Sequence, residues 1–229
     1  MKRIFWLLAV ISAAFFCSCE DDSGEYIEQL YTRSQLTTGI NTCLNVCTDT
    51  AVAHLCDTDC MNATDYRITL PTTSPYKALC DTLTALGYSY LIDSLHQQVN
   101  RACEQSGEAV TTNFKAVIKG LTYSDPGALV DGDDQAITTY FKTHYGNTLC
   151  QSLQSSLASP MQSCGATTTW SQMADIYHQS GAGALTADWL AYVTTQFMEA
   201  IFTEMAKEEK LIRTDASHRS GEGQLVIFN

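Results

Sequence analysis

Seven charged residues crowd the end of this chain: Glu204, Glu208, Glu209, Lys210, Arg213, Asp215 and Arg219. Carboxylates beside guanidinium groups could serve as an acid–base set or as a partner-binding face. An acid–base site would need them to converge with residues from elsewhere. A set of Arg101, Asp125, Asp134, Glu208, Glu209 and Arg213 in one helical cleft would suit an envelope hydrolase. The plainer account is a solvated helix end, because Glu209–Arg213 and Asp215–Arg219 are spaced i,i+4 and cations favour a helix C-terminus.

Cysteine offers a second chemistry. Beyond Cys19 lie Cys43, Cys47, Cys56, Cys60, Cys80, Cys103, Cys150 and Cys164. In an exported chain an even count suggests disulfides. Two Cys-x3-Cys pairs with His54 between them invite a zinc reading. At about 100° per residue, however, Cys43 and Cys47 face away from Cys56 and Cys60, and the spacing is not that of a finger knuckle. The sequence therefore argues for no metal site and no cofactor. Cys56 and Cys60 are expected as exposed thiols bonded to each other, provided the helix ends around Asp57–Asp59. Buried free thiols remain open as the alternative, since Cys47 and Cys103 fall on apolar stripes. His54, on such a stripe, reads as a packed core residue. Asp131-Gly132-Asp133-Asp134 misplaces the glycine of a calcium loop and reads as helix capping, with Asp133 as the N-cap. The chain has no Gly-x-Ser-x-Gly, His-Glu-x-x-His or phosphate-cradling glycine loop.

The elements that carry these residues are helical. Ile40, Leu44, Cys47, Ala51 and Leu55 recur at helical spacing, and Asn62–Pro75 holds turn residues. A helix from about Tyr76 should stop at Gly87, and a longer stretch, Tyr88–Lys119, has a weak point at Ser106-Gly107. Asp125 with Pro126 marks a short helix, followed by a helix bearing Ile137, Tyr140 and Phe141. Further helices are expected over Thr148–Ser163, Thr169–His178 and Thr186–Thr214. Tyr66–Leu70 is the single short strand candidate. The expected fold is all-α, one multi-helix domain of about seven to nine helices over residues 28–229.

Before that domain, Met1-Lys2-Arg3 leads thirteen residues that are apolar apart from Ser12, then Cys17-Ser18-Cys19. This is the pattern of a secretory signal, shorter than the roughly 20 apolar residues a bilayer span needs. Ser18 before Cys19 resembles a lipobox, which implies residues 1–18 as a lipoprotein signal peptide, lipid on Cys19, and residues 19–27 as an acidic tether. Glu20-Asp21-Asp22 resembles the export signal of bacterial surface lipoproteins, so the expected location is the cell envelope, at the outer membrane and facing outward. Removing residues 1–18 leaves 11 Lys and Arg against 25 Asp and Glu, a formal charge of −14. That balance repels nucleic-acid phosphates and anionic headgroups, so no nucleic-acid partner is expected.

Several segments together carry a family resemblance. They are Gly39-Ile40, Ile68-Thr69-Leu70-Pro71, Leu86-Gly87-Tyr88, Val99-Asn100-Arg101-Ala102, Gly132-Asp133-Asp134 with Thr139-Tyr140-Phe141, and Glu208-Glu209-Lys210 with Ile212-Arg213 and Arg219. The chain resembles the DUF4197 family of bacterial proteins, many of them lipoproteins. The resemblance implies a helical fold and no activity. With no recognisable nucleophile, base or metal set, the expected role is a binding module for an envelope protein or for an apolar ligand held between helices. The anchor is directly testable. Cys19→Ala is expected to leave the protein unlabelled by a fatty-acid probe and to move it to the soluble fraction; unchanged membrane partitioning would overturn the assignment.

Overall fold

A computed structural model describes residues 30–229. The expected signal peptide, the expected lipidation site Cys19 and the expected acidic tether lie outside the described residues. Every long element within them is a helix, and none is long and apolar enough to cross a membrane.

The central element is α1, Arg33–Leu55. Thr32 starts it with a capping box: its hydroxyl accepts from the Gln35 N–H, and Gln35 returns the bond to the Thr32 N–H at 2.9 Å. Leu36, Ile40, Leu44, Cys47, Ala51 and Leu55 are all fully buried, and Gly39, Cys43 and Thr48 are buried beside them. A stripe this wide has to be covered from several sides. After α2 (Cys60–Ala63) and an extended segment come α3 (Tyr76–Ala85), α4 (Ser89–Glu104) and α5 (Gly107–Lys119). Gly87, at φ +84°, closes α3 as expected, with Tyr88 N–H donating to Leu83 O at 2.8 Å. The weak point at Ser106-Gly107 is the break between α4 and α5, where a side chain on residue 107 would crowd Cys56.

Asp125 caps α6 (Pro126–Val130) through the Ala128 N–H at 2.9 Å. The two helices expected around Phe141 and after Thr148 are one, α7, running unbroken over Ala136–Ser163. Ile137, Phe141, Leu149, Leu153, Leu157 and Met161 keep one buried i,i+4 stripe across Gly146, so packing outweighs the glycine. Then come α8 (Ala166–Tyr177), a π-turn at His178–Ala182, α9 (Trp189–Thr214), and 3₁₀ turns at Ala216–Arg219 and Gly223–Phe228. Helix α9 packs along α1 and α7. Phe114, Phe141 and Phe202 join α5, α7 and α9 with ring centroids 5.8–6.1 Å apart, Phe141 meeting the other two edge to face.

Residues 66–70 form no strand; the segment runs extended against α4 and takes its partners from side chains. Fully buried Asn100 accepts from the Ile68 N–H at 2.8 Å and donates to the Ile68 carbonyl at 2.9 Å and the His96 carbonyl at 2.7 Å. His96 Nε2 accepts from the Leu70 N–H at 3.0 Å. Burial, helped by the Arg67 charge, lowers the pKa of His96 and favours the neutral ring this bond requires. Asn100→Ala would strand the Ile68 peptide in the core, and is expected to cost roughly 2–4 kcal/mol in urea unfolding. A loss below about 1 kcal/mol would show that the segment is held by other means.

Candidate functional site

The six residues proposed for a shared cleft do not converge on one cavity; of them, Glu209 and Arg213 pair with each other. Asp125 caps α6, Asp134 pairs with Lys210 at 3.0 Å, and Glu208 bonds His218 Nδ1 at 2.9 Å. The Glu208 carboxylate raises the pKa of His218.

Glu209 is fully buried, and its oxygens accept the Ile137 N–H at 3.0 Å and the Thr138 N–H at 2.7 Å. Arg213 donates to Glu209 at 2.8 Å and to the carbonyls of Leu129 and Val130 at 2.9 and 2.6 Å. Its guanidinium also lies 5.0 Å from the Phe228 ring centroid. Glu209 therefore satisfies the start of α7, and Arg213 the end of α6. The sequence assigned the α7 cap to Asp133; that carboxylate instead folds back on the Gln135 N–H at 2.9 Å. The densest charge cluster is a clamp on the fold.

Only Arg101 of the six reaches a cavity. The cavity, of about 610 Å³, lies where α2, the extended segment, α4 and the end of α7 come together, a volume within the usual range for small-molecule sites. Asp59 stands at its edge in left-handed conformation, φ +62°, and bonds Arg101 at 2.9 Å rather than capping its own helix α2. Both partners are about half exposed or more, so the pair contributes at most about 1 kcal/mol and opens at little cost.

Arg67 also lines the cavity, exposed and without an ion pair among the described residues. Four carboxamides, Asn62, Gln97, Gln98 and Gln105, line it with the two arginines. The oxygens of Asn62 and Gln98 are shielded from solvent and accept no hydrogen bond. The Cys164 thiol, also lining the cavity, donates to Gln105 Oε1 at 3.2 Å. No aromatic side chain lines the cavity, and its wall is polar. Sequence reasoning missed Arg67, which stands directly before the family segment Ile68–Pro71 but in no pattern that marks an anion site.

A second constellation was also missed. His54 is not a core residue: its side chain is 50% exposed and its Nδ1 lies 2.7 Å from Glu204. Leu55 takes the core position four residues after Ala51 and leaves His54 at the edge of the stripe. Tyr66 donates to the same carboxylate, and Lys207 donates to Glu204 at 2.6 Å and to the Tyr66 oxygen at 2.5 Å. Burial pushes Glu204 up, but the bonds from Lys207, Tyr66 and His54 prevail and hold it below the usual carboxylate range. Lys207 is raised by its bond to Glu204, and Tyr66 by burial and that same bond. All three move away from neutrality, the reverse of groups poised to exchange protons near pH 7. The network ties α1, the extended segment and α9 together.

The cysteine pairing is also corrected. All eight cysteines among the described residues are free thiols. Helix α1 ends at Leu55, as a Cys56–Cys60 bond would require, but the two thiols part there. Cys56 turns inward, its sulfur 3.8 Å from the Cys103 carbonyl, and burial pushes its pKa up to about 12. Cys60 opens α2. Cys43 and Cys47, fully buried with sulfurs 3.9 Å apart, fill core positions as small apolar groups.

The fold and its charge clamp define a class: a compact helical domain closed by its own C-terminal segment. The chain belongs to the family described as protein of unknown function (DUF4197), whose model matches residues 30–226. No curated protein and no solved structure matches the chain.

If the C-terminal charges serve the fold, their loss should show in stability. Glu209→Ala leaves two amides buried without a partner and Arg213 without its counter-charge, and is expected to cost on the order of 3–5 kcal/mol in chemical denaturation. Glu209→Gln, which keeps an acceptor, should cost less. Unchanged stability in both variants would overturn the assignment.

Proposed function

We propose that this protein is a lipid-anchored envelope protein whose helical domain binds a small anionic, polar solute in the cavity that Arg67 and Arg101 line. The anchor is lipid on Cys19, and Glu20-Asp21-Asp22 direct the domain to the outer surface of the outer membrane. Support for the anchor comes from the cationic start, the short apolar run and the Ser18-Cys19 junction.

One observation carries the binding reading. In a chain with 25 acidic residues, exposed Arg67 has neither an ion pair nor a side-chain hydrogen bond among the described residues, and it lines the same cavity as a second arginine, Arg101. Several other cations are spent on surface pairs, such as Lys77–Asp81, Lys115–Asp49 and Lys142–Glu199, and Arg33 and Arg219 on backbone carbonyls. A guanidinium presents a rigid fork that matches a carboxylate bidentately. Arg67 is placed by the Asn100 and His96 bonds to the residues beside it, so part of the ordering cost is met before the ligand arrives. The polar wall favours a polar solute over the apolar ligand expected from sequence. A hydrolase reading has no support in the geometry, because its six residues are dispersed.

The test is thermal unfolding with millimolar propionate, succinate or phosphate. A solute that binds the folded state raises Tm by mass action. At least one of these anions is expected to raise it for the wild type, and Arg67→Ala is expected to weaken that binding by about tenfold or more, equivalent to about 1.4 kcal/mol. No shift with any of the three would overturn the reading.

A further inference from the structure

We infer that the solute is a sugar acid, a carboxylate carried on a polyhydroxylated ring. This rests on the anion-binding reading and specifies the other half of the ligand.

The two arginines account for one charged group only. The cavity wall also holds four carboxamides and the Asp59 carboxylate, all with planar polar ends. Each carboxamide offers two N–H donors and an oxygen acceptor in one plane. Vicinal hydroxyls, each both donor and acceptor, match such ends in pairs. A ligand with a carboxylate alone would leave this wall without partners, and a phosphate would bring only acceptors.

The wall also has an acceptor surplus. Six side-chain oxygens among the described residues are shielded and unpaired, and two of them, those of Gln98 and Asn62, lie in this one wall. Gln98 makes no hydrogen bond at all to the protein through its amide, although it lies on a packed helix, α4. A hydroxyl entering the cavity satisfies that oxygen after a small turn of the amide. An ammonium could do so too and could pair with Asp59, so an amino acid is the competing ligand that the titration has to separate. The absence of an aromatic lining removes the face on which an apolar or aromatic ligand would stack.

Gln98 also makes the inference testable, because its amide gives the fold nothing that Gln98→Met would remove. Glucuronate, glucose, propionate and glycine are titrated into the full-length protein by calorimetry. Protection of Cys164 from alkylation, read by peptide mapping, reports occupancy of the cavity itself. Glucuronate is expected to bind at least tenfold tighter than propionate, with glucose and glycine weaker than both, and to protect Cys164. Gln98→Met is expected to reduce glucuronate binding to the propionate level and to leave propionate unchanged.

Equal affinity of glucuronate and propionate for the wild type would overturn the sugar-acid inference while leaving the anion site standing. So would a glucuronate preference that survives in Gln98→Met, or tighter binding of glycine than of glucuronate. Failure of every carboxylate to bind would overturn both readings.

Discussion

A single buried carboxylate organises the C-terminal half of this molecule. A helix start leaves amide protons without partners, and a helix end leaves carbonyls without partners. Helix α7 has no side chain of its own to cap it, and α6 ends with its carbonyls turned toward α9. Glu209 and Arg213, one turn apart on α9, meet both needs. Burying either charge alone would be costly. Together, with backbone groups filling the remaining bonding positions, they form a joint whose geometry admits few alternatives. Helix α9 then lies against α1, and the register of that contact sets where Glu204 meets His54 and Tyr66.

The parts of this fold legible in the sequence are those decided locally. The α1 stripe, the glycine stop at Gly87, the Asp125 cap with Pro126 behind it, and the break at Ser106-Gly107 all rest on residues within a turn of one another. What was not legible depends on partners far along the chain. Nothing near Asp133 tells that its capping role passes to a residue more than seventy positions later. Nothing near Cys56 tells that its thiol will turn under α4. Gly146 misleads for the same reason, since the packing that carries α7 through it comes from α9. The functional residues were the least legible. Arg67 owes its place to Asn100 and His96, whose side chains supply the bonds a neighbouring strand would have given.

The cavity sits in an unusual electrical setting. With a formal charge of −12 over the sequence, the protein repels an approaching anion at a distance. Salt at physiological strength confines that repulsion to about 8 Å. Inside this range the guanidinium groups of Arg67 and Arg101 dominate, and they act through directional bonds rather than a diffuse field. On the proposed reading, such an arrangement discourages loose accumulation of anions on the surface and reserves affinity for a solute that fits. It also explains why the charge of the whole chain is a poor guide to what its cavity holds.

The packing of Gly39 has a consequence for how the chain is made. Ile227 and the Gln224 carbonyl lie so close over Gly39 that any side chain there would collide with them, and the Tyr31 hydroxyl holds the Val226 carbonyl at 3.1 Å. The first helix of the domain is thus finished by its last few residues. A nascent chain emerging N-terminus first has α1 available early, yet neither α9 nor the closing turn exists to cover its apolar stripe. The cover over α1 cannot close until residues 189–227 have been made, and it closes with the slowness that long-range contacts impose.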